Sequence, residues 1–144
     1  MALDIFEEIE EEVNDDELEK IIENEIKVQE KKENQNTLLL LNYNAFLAVI
    51  KKDYNTSINY FEKIAEIQPK NIWILNFKAA SYNEIEKYEK AKEILEKAQS
   101  IKENQYSNLL MGIAHYETGN YFRAVREMTK AGELFYEFIS EDYH

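Results

Sequence analysis

The sequence predicts an all-α fold in which three helix–turn–helix units stack into a short solenoid behind an N-terminal helical segment. Only three glycines and one proline occur in 144 residues, which leaves little turn chemistry for a β protein. Glu, Lys, Leu, Ala and Ile dominate the composition, and all of them are compatible with helices. A repeat with a period of 33 to 34 residues also runs through residues 38–139.

The N-terminal segment, residues 1–36, is strongly acidic, with 14 acidic and 4 basic side chains. It contains two amphipathic stretches, and Asn14-Asp15-Asp16 between them can start a helix whose first turn matches the helix dipole. The apolar positions of the two stretches are Leu3, Phe6, Ile9 and Val13, and then Leu18, Ile21, Ile22 and Ile26. A solvated, partly mobile tail is the alternative for this segment.

The first repeat helix follows from about Leu38 and carries three adjoining apolar stripes. A helix that is apolar all round is buried all round, so something beyond its own repeat must cover it. The nearest amphipathic stretch along the chain is Leu18–Val28. We therefore expect this stretch to pack against the first repeat helix.

The repeat is marked by three tyrosines, Tyr54, Tyr88 and Tyr121, which lie 34 and then 33 residues apart. Four further positions recur at the same offsets from these tyrosines, three of them with similar side-chain size in all three copies and the fourth apolar in each. They are Ala45, Ala79 and Gly112; Ser57, Ala91 and Ala124; Phe61, Leu95 and Met128; and Ile64, Ala98 and Ala131. Small residues let two antiparallel helices approach closely, and the bulky residue fills the space towards the next pair. Units of this kind bury their apolar faces only by stacking.

The helix boundaries are marked by short polar corners such as Lys52–Asn55 and by Pro69 and Gly119. The last helix is predicted to run from about Phe122 to Ile139, longer than one repeat helix. Its distal face carries Leu134, Phe135, Phe138 and Ile139. Self-association, a bound partner or repacking onto the third repeat would each cover these side chains.

The spacing and the small/Tyr/small/bulky/Ala pattern of residues 38–139 resemble the tetratricopeptide repeat family. The consensus tryptophan of that family is replaced here, and its closing proline survives only as Pro69. The residues at the tryptophan position are Leu41, Leu75 and Asn108. The resemblance implies a right-handed solenoid, with residues 1–36 as an acidic helical segment and residues 37–144 as a three-repeat domain.

Several classes of function are excluded by the sequence. The net charge of −12 disfavours nucleic acid as a partner, and the absence of cysteine removes thiol catalysis and cysteine-based metal sites. No apolar run is long enough to span a bilayer, and the start of the chain lacks the order of a signal peptide. His115 falls at a core position of the repeat. We therefore expect a cytoplasmic, non-enzymatic protein without cofactor, metal or membrane insertion.

The family resemblance also implies a concave groove lined by the first helix of each repeat. Carried onto this sequence, its peptide-binding residues are Leu39, Asn42, Phe46, Val49, Trp73, Asn76, Asn83, Tyr106, Leu109, Ile113 and Tyr116. No cation is among them, which argues against capture of a free carboxylate. The aromatic residues would supply apolar contact area, and Asn42, Asn76 and Asn83 could bond an extended backbone. The alternative for each of these residues is a place in the core.

We therefore expect a protein-binding module that holds an extended, mainly hydrophobic segment of a client. The N-terminal helical segment, the three repeats and the run Gly112–Tyr121 resemble the class II chaperones of type III secretion, which implies a chaperone role. A structural adaptor in a multiprotein assembly is the alternative. A homodimer also stays open, through pairing of residues 1–36 between chains or through their docking in a neighbour's groove.

Overall fold

The computed structural model describes residues 14–32, 36–134 and 136–137, and within them it contains seven α-helices and no strand. Each helix packs against its neighbours in the sequence, and α4 also packs against α6. The helices are α1 (Asp15–Glu30), α2 (Thr37–Ile50), α3 (Tyr54–Ile67), α4 (Ile72–Glu84), α5 (Tyr88–Ile101), α6 (Gln105–Glu117) and α7 (Tyr121–Ala131). This all-α arrangement of helix pairs confirms the predicted fold class.

The three tyrosines that mark the repeat are the first residues of α3, α5 and α7, the second helix of each pair. The small positions of the pattern are buried in all three copies, and so is the bulky position in the first two. In the third copy Met128 is half-buried and packs beside the core. The positions that recur in the three repeats therefore lie where the two helices of a pair meet.

Each corner inside a helix pair places one residue in the left-handed region of backbone space. These residues are Lys52, Glu86 and Gly119, with φ of 59°, 61° and 82°. Their spacing reproduces the repeat period, so the corner is a repeated feature of the fold. Only the third corner uses glycine, the residue that adopts this conformation without steric cost.

Helix α1 covers α2, as the apolar surround of α2 predicts. Ile26 is buried in this contact, and it belongs to the stretch Leu18–Val28 that we expected there. Lys51, just after α2, lies 3.5 Å from Glu19 and 3.3 Å from Glu23. A hydrogen bond with Glu23 raises the pKa of Lys51. These ion pairs lie at the exposed edge of the contact, and exposed pairs of this kind contribute little stability.

The predicted helix from Phe122 to Ile139 is wrong in its extent. α7 ends at Ala131, and Gly132 leaves the helix with φ 60° and ψ −126°. Helical residues resume at 133–134, and this change of direction places Leu134 against α6. Leu134 is therefore buried, and of the three alternatives for this side chain the structure shows repacking onto the third repeat. Glycine allows the break because it has no Cβ to oppose a positive φ.

Other predicted features lie outside the described residues. They are the first amphipathic stretch, within residues 1–13, and the side chains of Phe135, Phe138 and Ile139. The division of the chain between residues 36 and 37 stays a prediction. Within the described ranges, no helix combines the length and the apolar character needed to cross a membrane.

Candidate protein-binding surface

The predicted binding residues all lie on α2, α4 and α6, which we call the first-helix row. The Phe46 and Phe77 rings join α2 to α4, with centroids 5.1 Å apart. α4 and α6 are joined by polar contacts, since the Asn83 amide donates to the Leu110 carbonyl oxygen over 3.3 Å. The predicted binding residues thus lie on three helices that contact one another in the order α2, α4, α6.

Trp73 is 50% exposed near the start of α4. Its ring centroid lies 5.6 Å from that of Tyr106 near the start of α6, and the two planes are tilted by 59°. The backbone beneath Trp73 is held by Asn71, whose side-chain oxygen accepts from the Trp73 and Ile74 amides at 3.1 and 3.4 Å. We call the Trp73–Tyr106 pair the aromatic platform.

Helix α2 adds Leu39, Asn42 and Phe46, all half-buried. The Asn42 side-chain amide donates to the Leu38 carbonyl oxygen of its own helix at 2.9 Å. This leaves the acceptor oxygen of Asn42 without a bond within the described residues, and a peptide N–H could use it. Phe46 packs edge-on against Phe61 and Phe77, so its ring is part of the core as well as of the surface.

Asn76 and Asn83 lie in the contact between α4 and α6 rather than on an open surface. Both ends of the fully buried Asn76 amide are engaged. Its Nδ2 donates to Asn104 Oδ1 at 3.3 Å, and its Oδ1 accepts from Ser107 Oγ at 2.6 Å. Asn83 Oδ1 is buried without a hydrogen-bond partner among the described residues. Of the three predicted amides, only Asn42 therefore lies at the surface. Val49 on α2 is also buried.

The third repeat divides its predicted residues between core and surface. Leu109 and Ile113 are buried because Leu134 packs over them. Tyr116 is half exposed at the other end of α6, with its ring 5.5 Å from that of Tyr121. The structure thus joins Tyr106 to Trp73 and places Tyr116 in a separate aromatic pair.

Two residues that shape this surface were absent from the predicted binding residues. Phe77 stacks on Phe61 at 5.9 Å and supports Phe46 from below. In the sequence, Phe77 could have been recognised by its position one helical turn after Trp73, which places the two side chains on the same side of the helix. Leu134 covers the third repeat, and Gly132 two residues earlier was the signal that the chain turns there.

His115 is buried on α6, at the core position that the sequence predicted, and its Nδ1 has no hydrogen-bond partner among the described residues. Burial, together with the positive charges of Lys92 and Arg123, lowers the pKa of this imidazole. It lines a cavity of about 200 Å³ with residues of α5 and α7, including Arg126. Within the described ranges, no group of three or more His, Asp or Glu side chains is placed to hold a metal ion.

The stacked helix pairs of the described residues define an α-helical repeat protein. Residues 45–71 and 74–105 match the model of the family described as tetratricopeptide repeat. Tetratricopeptide repeats are therefore present in this part of the chain, as the sequence resemblance indicated. Repeats of this kind build protein–protein interaction modules.

Related proteins support the repeat architecture. Over 92 residues the chain is 29% identical to stress-induced-phosphoprotein 1 of Caenorhabditis elegans, a match that covers 63% of this chain and 29% of that protein. MamA from residue 41 to its end, from Desulfovibrio magneticus RS-1, superposes with a TM-score of 0.67 over 84% of this chain and 75% of that chain. A MamA RS-1 ArsTM double mutant superposes with the same TM-score over 91% and 79%. Both MamA structures are 17% identical to this chain, so they show the fold alone.

Proposed function

We propose that the first-helix row binds an extended, mainly hydrophobic segment of a client protein, with the aromatic platform as its anchor. The observation that carries this proposal is the half-exposed indole of Trp73, which packs against Tyr106 and so forms an aromatic surface across α4 and α6. Large aromatic side chains dominate the energetics of protein interfaces, and those that carry most of the binding energy lie near the centre.

The platform is held in place before any ligand binds. Asn71 caps the helix beneath Trp73, and Tyr106 packs against its ring. Tyr106 is itself supported by the core on both sides. A preorganised aromatic pair loses little conformational entropy on binding, so more of the contact energy appears as affinity.

The chemistry of the row selects a neutral, apolar ligand. Leu39 and Phe46 add half-buried apolar side chains on α2, and Phe46 meets α4 through Phe77. The free acceptor of Asn42 can bond one backbone N–H of an extended segment. Lys78 on α4 is half-buried and lies 3.7 Å from Glu62, so its charge is partly compensated. A client that is shielded in this way would be held as a chaperone holds its substrate.

The test is the binding of a fluorescently labelled, uncharged peptide of about ten Leu, Ile, Ala and Ser residues, which spans roughly 33 Å when extended. We expect Trp73→Ala to weaken binding by about 10- to 100-fold, since loss of a central aromatic anchor costs 2 kcal/mol or more. Helical circular dichroism should be unchanged, because the side chain is half exposed. Fluorescence anisotropy of the peptide measures the affinity, independently of the protein's single tryptophan.

The matched control is Phe122→Ala, which removes a more exposed aromatic side chain on α7, outside the first-helix row. Its affinity for the peptide should equal that of the unmodified chain. The first-helix row would be refuted as the peptide-binding site if Trp73→Ala bound the peptide as tightly as the unmodified chain. An equal loss of affinity in Phe122→Ala would refute it as well. A structural adaptor is the second candidate function, and the exposed face of α7 favours it.

A further inference from the structure

The outward side of α7 differs from every other helix surface in charge. The chain carries a net charge of −12, yet α7 holds three basic residues and one acidic residue. It is the only one of the seven described helices in which basic residues outnumber acidic ones. Both arginines of the chain, Arg123 and Arg126, lie on it and are exposed.

The same side of α7 is also apolar. Phe122 is 84% exposed and Val125 is 64% exposed. At the position of Val125, the earlier repeats carry Ile58 and Lys92, and both are buried. Lys92 reaches the following helix pair, where it bonds Thr118 Oγ1 at 2.8 Å. Within the described residues no helix follows to cover α7 in this way.

The two arginines form no ion pair among the described residues, although Glu96 and Glu127 line the His115 cavity with them. Neither lies within 4.0 Å of a carboxylate among the described residues, whereas Lys130 on the same helix lies 3.5 Å from Glu103. Phe122, Val125 and Arg126 recur at spacings of three and four residues and therefore form one stripe, with Arg123 at its edge. We call this stripe the α7 face. It offers apolar contact flanked by two arginines that have no ion-pair partner in the part of the chain that the structure describes.

We propose that the α7 face binds the acidic N-terminal segment, residues 1–13, of a second copy of this chain. That segment carries six acidic residues and no basic one. Its apolar residues, Leu3, Phe6, Ile9 and Val13, recur every three to four positions, as they would on one side of a helix. Its charge and its apolar stripe complement those of the α7 face. The proposal does not depend on the first-helix row.

A second copy suits the geometry better than the same chain. α1 packs against α2 and α7 packs against α6, so these helices lie at opposite ends of the series. Helices pack about 8–10 Å apart, which places α1 and α7 roughly 25–30 Å apart across three repeats. A helix of 13 residues is only about 20 Å long. Docking between copies is then head to tail, a heterologous contact that forms rings or open chains.

Sedimentation velocity on the full chain, from micromolar to hundreds of micromolar, tests the proposal. We expect masses above the 17.1 kDa of one chain, and a return towards that mass in about 0.5 M NaCl, where charge attraction is screened within roughly 4 Å. Arg123→Glu with Arg126→Glu should abolish association, and Glu10→Arg with Glu11→Arg should do the same from the other side. Phe122→Ser removes apolar contact without a charge change and should weaken association at least tenfold.

Mixing the two charge-reversed proteins identifies the contact. One retains an intact N-terminal segment and the other an intact α7 face, so the mixture should associate, from roughly twice 17.1 kDa upwards, although each protein alone stays monomeric. The matched control is Lys63→Glu with Lys97→Glu, the same charge change at exposed sites on α3 and α5, and it should associate normally. A monomeric unmodified chain, association that survives the arginine reversal, equal loss in the control, or a mixture that stays monomeric would each overturn the proposal.

Discussion

The buried amide of Asn76 offers the sharpest test of how the first-helix row is held together. Asn76→Ala removes the bonds to Asn104 Oδ1 at 3.3 Å and from Ser107 Oγ at 2.6 Å. Ser107 is fully buried, so its hydroxyl loses the acceptor without gaining water. The change therefore acts on the contact between α4 and α6 rather than on an open surface.

The expected size follows from these contacts. Each lost hydrogen bond is worth about 1 kcal/mol net, and a buried hydroxyl without its acceptor costs about 1–2 kcal/mol more. The free energy of unfolding should fall by about 3–4 kcal/mol, and Tm by roughly 10 °C for a chain of 144 residues. Urea denaturation followed by circular dichroism measures the loss.

The matched control is Asn42→Ala, at the equivalent place in the first repeat. Its side-chain amide bonds only the Leu38 carbonyl of its own helix, and alanine is the better helix former, so the change should stay within about 0.5 kcal/mol. Asn76→Ala with Ser107→Ala should cost about 1–2 kcal/mol less than the sum of the single changes, because no orphaned hydroxyl remains. Equal losses at Asn42 and Asn76, or strict additivity, would refute this account.

Two further predictions concern the third repeat. Gly112→Ala should lower the free energy of unfolding by about 1–3 kcal/mol in urea titrations, since a Cβ there would lie 2.7 Å from Met128 Cγ and 3.3 Å from the Ala124 carbonyl oxygen. Acidification from about pH 7.5 to pH 5.5 should also destabilise the protein, because the pKa of His115 is lowered in the folded state and the unfolded chain binds the proton more readily. The stability present at high pH is lost as the pH falls below about 6.5, by at most about 1.4 kcal/mol per pH unit.

Each of these predictions has its own control. Gly112→Ala should cost less in a Met128→Ala background than in the unmodified chain, because the nearest opposing atom is then absent. Greater stability in Gly112→Ala than in the unmodified chain would contradict the packing argument. For the pH effect, His115→Gln should flatten the slope between pH 7.5 and 5.5. Parallel pH profiles for the two proteins would contradict the assignment to His115.

The repeat could be predicted from the sequence because its signals are local. Tyr54, Tyr88 and Tyr121 start the second helices as their spacing indicates, and the small residues lie where two helices meet. The cover of α2 by α1 was also predictable, because an apolar helix needs a neighbour on every side. Helix period, residue size and apolar pattern are set by the order of residues along the chain.

Part of the site depended on the tertiary structure. Asn76 and Trp73 lie three residues apart on α4, yet one is fully buried against α6 and the other is half exposed. Leu109 and Ile113 occupy groove positions of the repeat, but Leu134 covers them after the turn at Gly132. The periodicity of a helix shows which side chains share a face. Which neighbour packs on that face depends on contacts between segments far apart in the chain, and only the folded arrangement decides them.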